Sequence, residues 1–236
     1  MKVTRRVRPL AWLAPGAVCL SLACSLGLSA KESLPQVSPE GLQLQPLPQV
    51  RAFYKKPGAT FSQYKRVAIV DCYVEFAKDW ERNYNDSQVG FDGRVSADDM
   101  DRMKKAIAAE FKKVFTLELQ TKGHYQVVDV AAPDVLALRP ALINVMVTAP
   151  DLMSADMGRT IISSAGQMTL YLELWDSATN TLLARAIDPE ADPGMGGMGE
   201  TADRVTNMLA ADTILRHWAD LLRKHLDAVQ GKAASP

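Results

Sequence analysis

Arg66-Val67-Ala68-Ile69-Val70-Asp71-Cys72-Tyr73-Val74-Glu75-Phe76 is a β-branched run free of Gly and Pro, and its reading decides the fold. At a period of two, Ala68, Val70, Cys72, Val74 and Phe76 form one continuous apolar face. The other face begins with Val67 and Ile69 and turns polar at Asp71 and Glu75. A strand apolar on both faces at its start and on one at its end is expected in the interior of a covered sheet.

Working outward, Ala77 to Val95 reads as a loop, and Ser96 followed by Asp98, Asp99 and Asp101 signals a helix start, where the macrodipole favours anions. Met100, Met103, Ile107, Phe111, Val114 and Phe115 fall on one stripe of that helix, with Lys104, Lys105, Lys112 and Lys113 outside it. Lys122-Gly123 ends it. Tyr125 to Val130 reads as a second strand, which makes a strand-helix-strand unit with a parallel crossover. Ala131 to Pro140 reads as a connector and Ala141 to Ala149 as a third strand.

Met168, Leu170, Leu172 and Leu174 alternate with Thr169, Tyr171, Glu173 and Trp175, and the chain turns at Ser177 to Asn180 and returns through Ile187 as a hairpin. Ala202 to about Val229 is a second long helix. The expectation is an α/β fold: a single mixed sheet of about five strands covered by two long helices, in the order β-α-β-β-β-α. That domain spans residues 64–229. Residues 31–63 carry Pro35, Pro39, Pro46, Pro48 and Pro57 and read as an extended tether, and 230–236 as a disordered tail.

Residues 1–30 read as an export signal: Lys2, Arg5, Arg6 and Arg8 precede an apolar stretch from Leu10 to about Leu28, with small residues up to Ala30. Cleavage after Ala30 would release a soluble protein. Leu20-Ser21-Leu22-Ala23-Cys24 instead matches a lipobox, with Ser21 where Leu is usual, and makes Cys24 a candidate lipidation site on a signal that ends before it. A retained signal anchor is a third outcome, opposed by Pro15 and Gly16. Every outcome places the body outside the cytoplasm, and the expected location is the periplasm or the periplasmic face of the outer membrane. Past the leader, 23 basic residues stand against 27 acidic ones, which argues against a nucleic-acid partner.

The motifs of common chemistries are missing. Gly194 to Gly199 contains G-x-G-x-x-G, but no strand follows the next helix, so a mobile loop explains it better than a dinucleotide site. His217 and His225 lie eight residues apart on one helix, about 12 Å along its axis, too far to share a metal. No H-E-x-x-H, G-x-S-x-G or Walker loop occurs, so no catalytic, cofactor or metal residue is assigned. Cys72 reads as a buried hydrophobe, because apolar surroundings suppress the thiolate.

The loop after the first strand carries Trp80, Arg82, Tyr84, Phe91 and Arg94, the residue types that dominate protein contact energies. They are the candidate partner-binding residues. The alternative is that Trp80 and Phe91 fold back over the sheet.

Tyr64-Lys65-Arg66-Val67-Ala68-Ile69-Val70-Asp71, the helix from Met100 to Phe115, Gly123-His124-Tyr125-Gln126-Val127-Val128 and Trp218-Ala219 together resemble the bacterial lipoprotein family catalogued as domain of unknown function 3313. The likeness covers about Pro48 to Ala228 and brings no catalytic motif. It implies an exported, non-enzymatic envelope protein, a docking or scaffold module for an unknown envelope protein, held to the membrane where Cys24 is acylated. The alternatives are a periplasmic small-ligand binder or hydrolase using the 77–95 loop, and a subunit of an envelope oligomer.

Overall fold

The computed structural model describes residues 34–88, 93–147, 160–162, 166–191, 200–202 and 204–231, with backbone alone at 160–162, 200–202 and 204–209. These residues belong to the compact unit that begins at Leu34. The chain runs through β1 (Gln43–Gln45), β2 (Ala52–Lys55), β3 (Arg66–Ile69), β4 (Tyr73–Phe76), α1 (Trp80–Ser87) and α2 (Ala97–Leu117). A π-helical turn (Glu118–Lys122), β5 (Gln126–Val127), β6 (Val135–Val147) and β7 (Thr160–Ile162) follow. Then come β8 (Gly166–Asp176), β9 (Thr181–Ala191), β10 (Glu200–Ala202) and α3 (Arg204–Val229). Among the described residues one mixed sheet holds eight strands, in the order β1-β2-β9-β8-β6-β3-β5 with β4 also on β6, while β7 pairs with β10. Among the described residues the fold is mixed α/β, with eight strands in its main sheet rather than five and three α-helices rather than two.

The stretch from Arg66 to Phe76 is two strands in line, both parallel to β6. Residues 70–72 leave the ladder, and this three-residue break shifts the side-chain parity by one. The buried residues are therefore Val67 and Ile69 before the break and Val74 and Phe76 after it, while Val70 is 42 % exposed and Ala68 half-buried. The single apolar face from Ala68 to Phe76 is thus corrected.

β6 explains the break. Its first half replaces the expected connector Ala131 to Pro140, and Pro140 lies mid-strand, paired with Leu172 of β8. The Val70 N–H reaches the Leu138 carbonyl at 3.1 Å. By the period of two, the face where Pro140 lacks an N–H also points toward residues 70–72, where the neighbouring chain has left the sheet. No ladder bond is lost there. Further on, Asn144 has φ 52 and marks an extra residue between Ile143 and Met146, a bulge of the kind that Asn tolerates.

Residues 34–63 form no tether. β1 and β2 pair with each other and β2 with β9, and Phe53 and Phe61 enter the main core. The prolines of this segment flank the two short strands instead of interrupting them. At the other end, Gln230 donates from Nε2 to the Tyr64 carbonyl at 2.5 Å, so the first residue of the expected tail is tied to the domain. Residues 232–236, the leader with Cys24 and the glycine-rich segment lie outside the described residues.

The two long helices form where the sequence places them. Ser96 and Asp99 make a reciprocal cap: the Asp99 N–H donates to Ser96 Oγ at 3.2 Å, and the Ser96 N–H to the Asp99 carboxylate at 2.9 Å. Met103, Phe111, Val114 and Phe115 of α2 and Leu215, Trp218, Leu222 and Leu226 of α3 share one core with Leu136, Leu138, Leu142, Leu170, Leu172 and Leu174 of the sheet. Each of these leucines is worth about 1.5–3 kcal/mol on burial. β3 and β5, joined through α2, are parallel as expected.

Candidate functional site

The chain leaving β4 is a short helix, not a loop. Asp79, at φ 62, turns it into α1, where the i,i+4 spacing stacks Trp80 on Tyr84 with centroids 5.6 Å apart, and Phe76 at the end of β4 meets Trp80 in a tilted contact at 4.7 Å. Trp80 is 7 % exposed and donates its indole N–H to the Val147 carbonyl at 3.3 Å. Asn85 clamps Val95 in both directions, donating to its carbonyl at 2.9 Å and accepting its N–H at 2.7 Å. Trp80 therefore serves the core, and Tyr84 is half-buried against it. Arg82 is exposed and pairs with Asp79 at 3.3 Å, Arg94 is exposed, and Phe91 lies outside the described residues.

A different surface emerges from strand register. The helix-packed core takes one face of the sheet. On the opposite face, the segment before β1 covers only one side: Leu42, Ala52 and Tyr54 form a second apolar cluster with Leu34, Leu44, Leu182 and Ile187. The Tyr54 hydroxyl donates to the Pro35 carbonyl at 3.0 Å, and Arg185 bonds Glu40 at 2.9 Å and Glu173 at 2.7 Å. Past that cover, and among the described residues, the face lies open. Tyr73, Ala141, Tyr171 and Ile187 stand side by side across β4, β6, β8 and β9, and only Ile187 belongs to the covered cluster. Tyr73 is 59 % exposed and Met146 40 %, with Ile143, Thr169, Tyr171 and Trp175 half-buried beside them. The Arg139 guanidinium lies 4.1 Å from the Trp175 ring centroid and Arg185 lies 5.0 Å from that of Tyr171, both cation–π arrangements.

The electrostatics of this face keep its charges fixed near neutral pH. Hydrogen bonds from Arg185 and Ser38 pull the Glu40 carboxyl down to about 2. Burial works against the charge of Arg185, but its bonds to Glu40 and Glu173 outweigh that and raise its pKa. The charge of Glu75 raises the Tyr73 phenol, and burial raises that of Tyr171. Burial pushes the Cys72 thiol up to about 12, against a hydrogen bond with the Leu142 backbone. Chemically, the face offers aromatic rings, aliphatic surface and fixed guanidinium groups.

Among the described residues no group of three or more His, Cys, Asp or Glu could hold a metal ion. Among them, too, no helix is long and apolar enough to cross a membrane. An open depression of about 390 Å³ lies between Leu34, Leu44, Leu47 and Phe53, away from the candidate loop. His225 sits edge-on to Phe53 at 5.5 Å, and its pKa is lowered by burial and by Lys55.

Sequence reasoning missed the open face, although one signal was present: the outer side of β8 alternates Thr169, Tyr171, Glu173 and Trp175, with two large aromatics on the side away from the leucines. Which half of that side is covered depends on residues 34–42, more than a hundred positions away in sequence.

The family model described as "Protein of unknown function (DUF3313)" matches residues 37–222, and the chain belongs to that family. A comparison with curated proteins returns no match. Among solved structures, the PelC dodecamer from Paraburkholderia phytofirmans is similar at 10% identity and a TM-score of 0.34, over 70% of this chain and 96% of that one. A Helicobacter pylori protein described as a homologue of a neuraminyllactose-binding hemagglutinin is similar at 11% identity and a TM-score of 0.33, over 74% and 94% of the two chains. A Xanthomonas campestris protein of the DUF330 family is similar at 12% identity and 0.31, over 75% and 92%.

Proposed function

We propose that this member of the DUF3313 family is an exported envelope protein that acts by docking a protein partner and not by catalysis. The open half of the outer sheet face is its contact surface. The observation that carries the reading is the row of Tyr73, Ala141 and Tyr171, flanked by Arg139 over Trp175, which no described residue covers, on a sheet face whose other half packs beneath the segment before β1. Tyr, Trp and Arg are the residues that anchor interfaces, because they bury much area for few rotatable bonds. Export is supported by the basic and apolar leader of residues 1–30. Acylation of Cys24 would keep the domain at a membrane, and cleavage after Ala30 would release it.

The test is a photo-crosslinking side chain placed at Tyr171 in the native envelope, with the same group at exposed Lys224 on α3 as control. A discrete adduct from position 171 and none from 224 is the expected result. Adducts at both positions, or at neither, contradict the proposal.

A further inference from the structure

We propose that the outer edge of β4, next to the open face, takes an added strand from a partner protein, and that this strand alternates basic and apolar residues. The inference rests on the docking reading and names the chemistry of its partner. The Ala77 N–H reaches the Val145 carbonyl of β6 at 2.9 Å. By the period of two, the N–H and C=O groups of Tyr73 and Glu75 also face β6, and those of Val74 and Phe76 face away from it. Beside β3 that outward side is filled by β5, where the Val128 N–H bonds the Val67 carbonyl at 2.9 Å. β5 ends at Val127, and among the described strands β4 pairs with β6 alone. Among the described residues no hydrogen bond reaches the outward groups of Val74 and Phe76.

Such a row of paired donors and acceptors at a strand repeat is satisfied by another extended backbone. Of the devices that blunt an edge strand, β4 lacks Pro, Lys and a bulge of its own, the nearby bulge being in β6, and has only its short length and the charge of Glu75. The side chains set the partner's pattern. On the inner face Val74 and Phe76 are buried in the main core, and α2 packs on β4, so an added strand meets apolar surface there. On the outer face Tyr73 and Glu75 are exposed, and Asp71 is exposed just before the strand, so a phenol ring and two carboxylates lie along this segment, which favours lysine or arginine.

Amide hydrogen exchange on the full chain tests this in two stages. In the free protein the Val74 and Phe76 amides are expected to exchange at least about tenfold faster than those of Tyr73 and Glu75. A saturating capped peptide alternating lysine and valine should then slow Val74 and Phe76 by about tenfold or more, where one alternating glutamate and valine does not. Asp71→Lys combined with Glu75→Lys should reverse that preference. Val74→Pro removes an outward donor but none that faces β6, and should abolish the response while the β6–β8 amides stay protected as evidence of folding.

Equal protection of Val74 and Tyr73 in the free protein overturns the proposal, because the edge is then already occupied. So does a lysine-valine peptide that leaves Val74 and Phe76 unchanged. In either case a Tyr171 adduct in the envelope still supports docking through the face, so the two readings fail separately.

Discussion

Replacing Arg223 with alanine withdraws the cation at the centre of a buried ionic knot that joins α3 to the π-helical turn. The Arg223 side chain is 4 % exposed and reaches Glu118 at 3.0 Å, Asp227 at 3.0 Å and Asp220 at 2.6 Å. The Tyr125 hydroxyl donates to Asp227 at 2.9 Å, and Lys122 reaches Glu118 from outside at 2.9 Å. Burial drives the Asp220 carboxyl upward, yet its bonds from Lys224 and Arg223 prevail and hold it below the ordinary carboxylate range. Removing one member of a buried ion cluster costs about 3–5 kcal/mol, because the remaining charges cannot return to water. The lower end applies here, since Lys122 still neutralises part of Glu118. At roughly 2–4 °C per kcal/mol for a chain of this size, Tm should fall by about 6–12 °C. Urea and thermal unfolding followed through tryptophan fluorescence read the loss, as Trp218 is buried on the same helix. The control is Arg216→Ala, which breaks an exposed i,i+4 pair with Asp212 and should cost less than about 1 kcal/mol. Equal losses in the two variants would refute the reasoning, since the knot would then behave as surface charge.

Three further outcomes are expected. Folding depresses the Glu40 carboxyl from 4.5 to about 2, so its contribution is complete above about 4.5 and is lost as the pH falls through about 2. A carbon-13 titration of Glu40 should show that low midpoint, and Arg185→Met should raise it toward the ordinary range, with the Ser38 bond still acting to lower it. Cys72, with its thiol pushed up to about 12, should react with iodoacetamide at about pH 8 more than about tenfold slower in the native protein than in the urea-unfolded chain. Asn144→Val forces a β-branched residue to φ 52 and should cost about 1–2 kcal/mol in urea unfolding, whereas Asn144→Gly should be neutral or stabilising.

The parts of this fold that were legible in the sequence are those whose signal is local and long. α2 has a capping pair and six apolar positions in register, and the β8–β9 hairpin alternates over nearly its whole length around a polar turn. The missed parts depend on neighbours. β1 and β2 are three and four residues long, too short to show a period, and sit among prolines that mark their ends. Pro140 argues against a strand until the neighbouring chain is seen to leave the sheet opposite it. α1 is mostly Glu, Arg, Asn and Asp, so Trp80 and Tyr84 alone hint at its helical spacing. The aromatic content of residues 80–84 marked a place where rings accumulate, but for Trp80 that place is interior. The rings that reach the outer face lie on β4 and β8, in strands whose outer side looks polar until its cover is known.

The central claim, that the open half-face docks a partner, is tested most directly by hydroxyl-radical footprinting of the same chain purified and in its native envelope. Tyr73, Met146, Tyr171 and Trp175 should be oxidised in the purified protein and protected in the envelope, while Leu117, 48 % exposed on α2, is oxidised equally in both. Equal oxidation of the four face residues in the two states would contradict it.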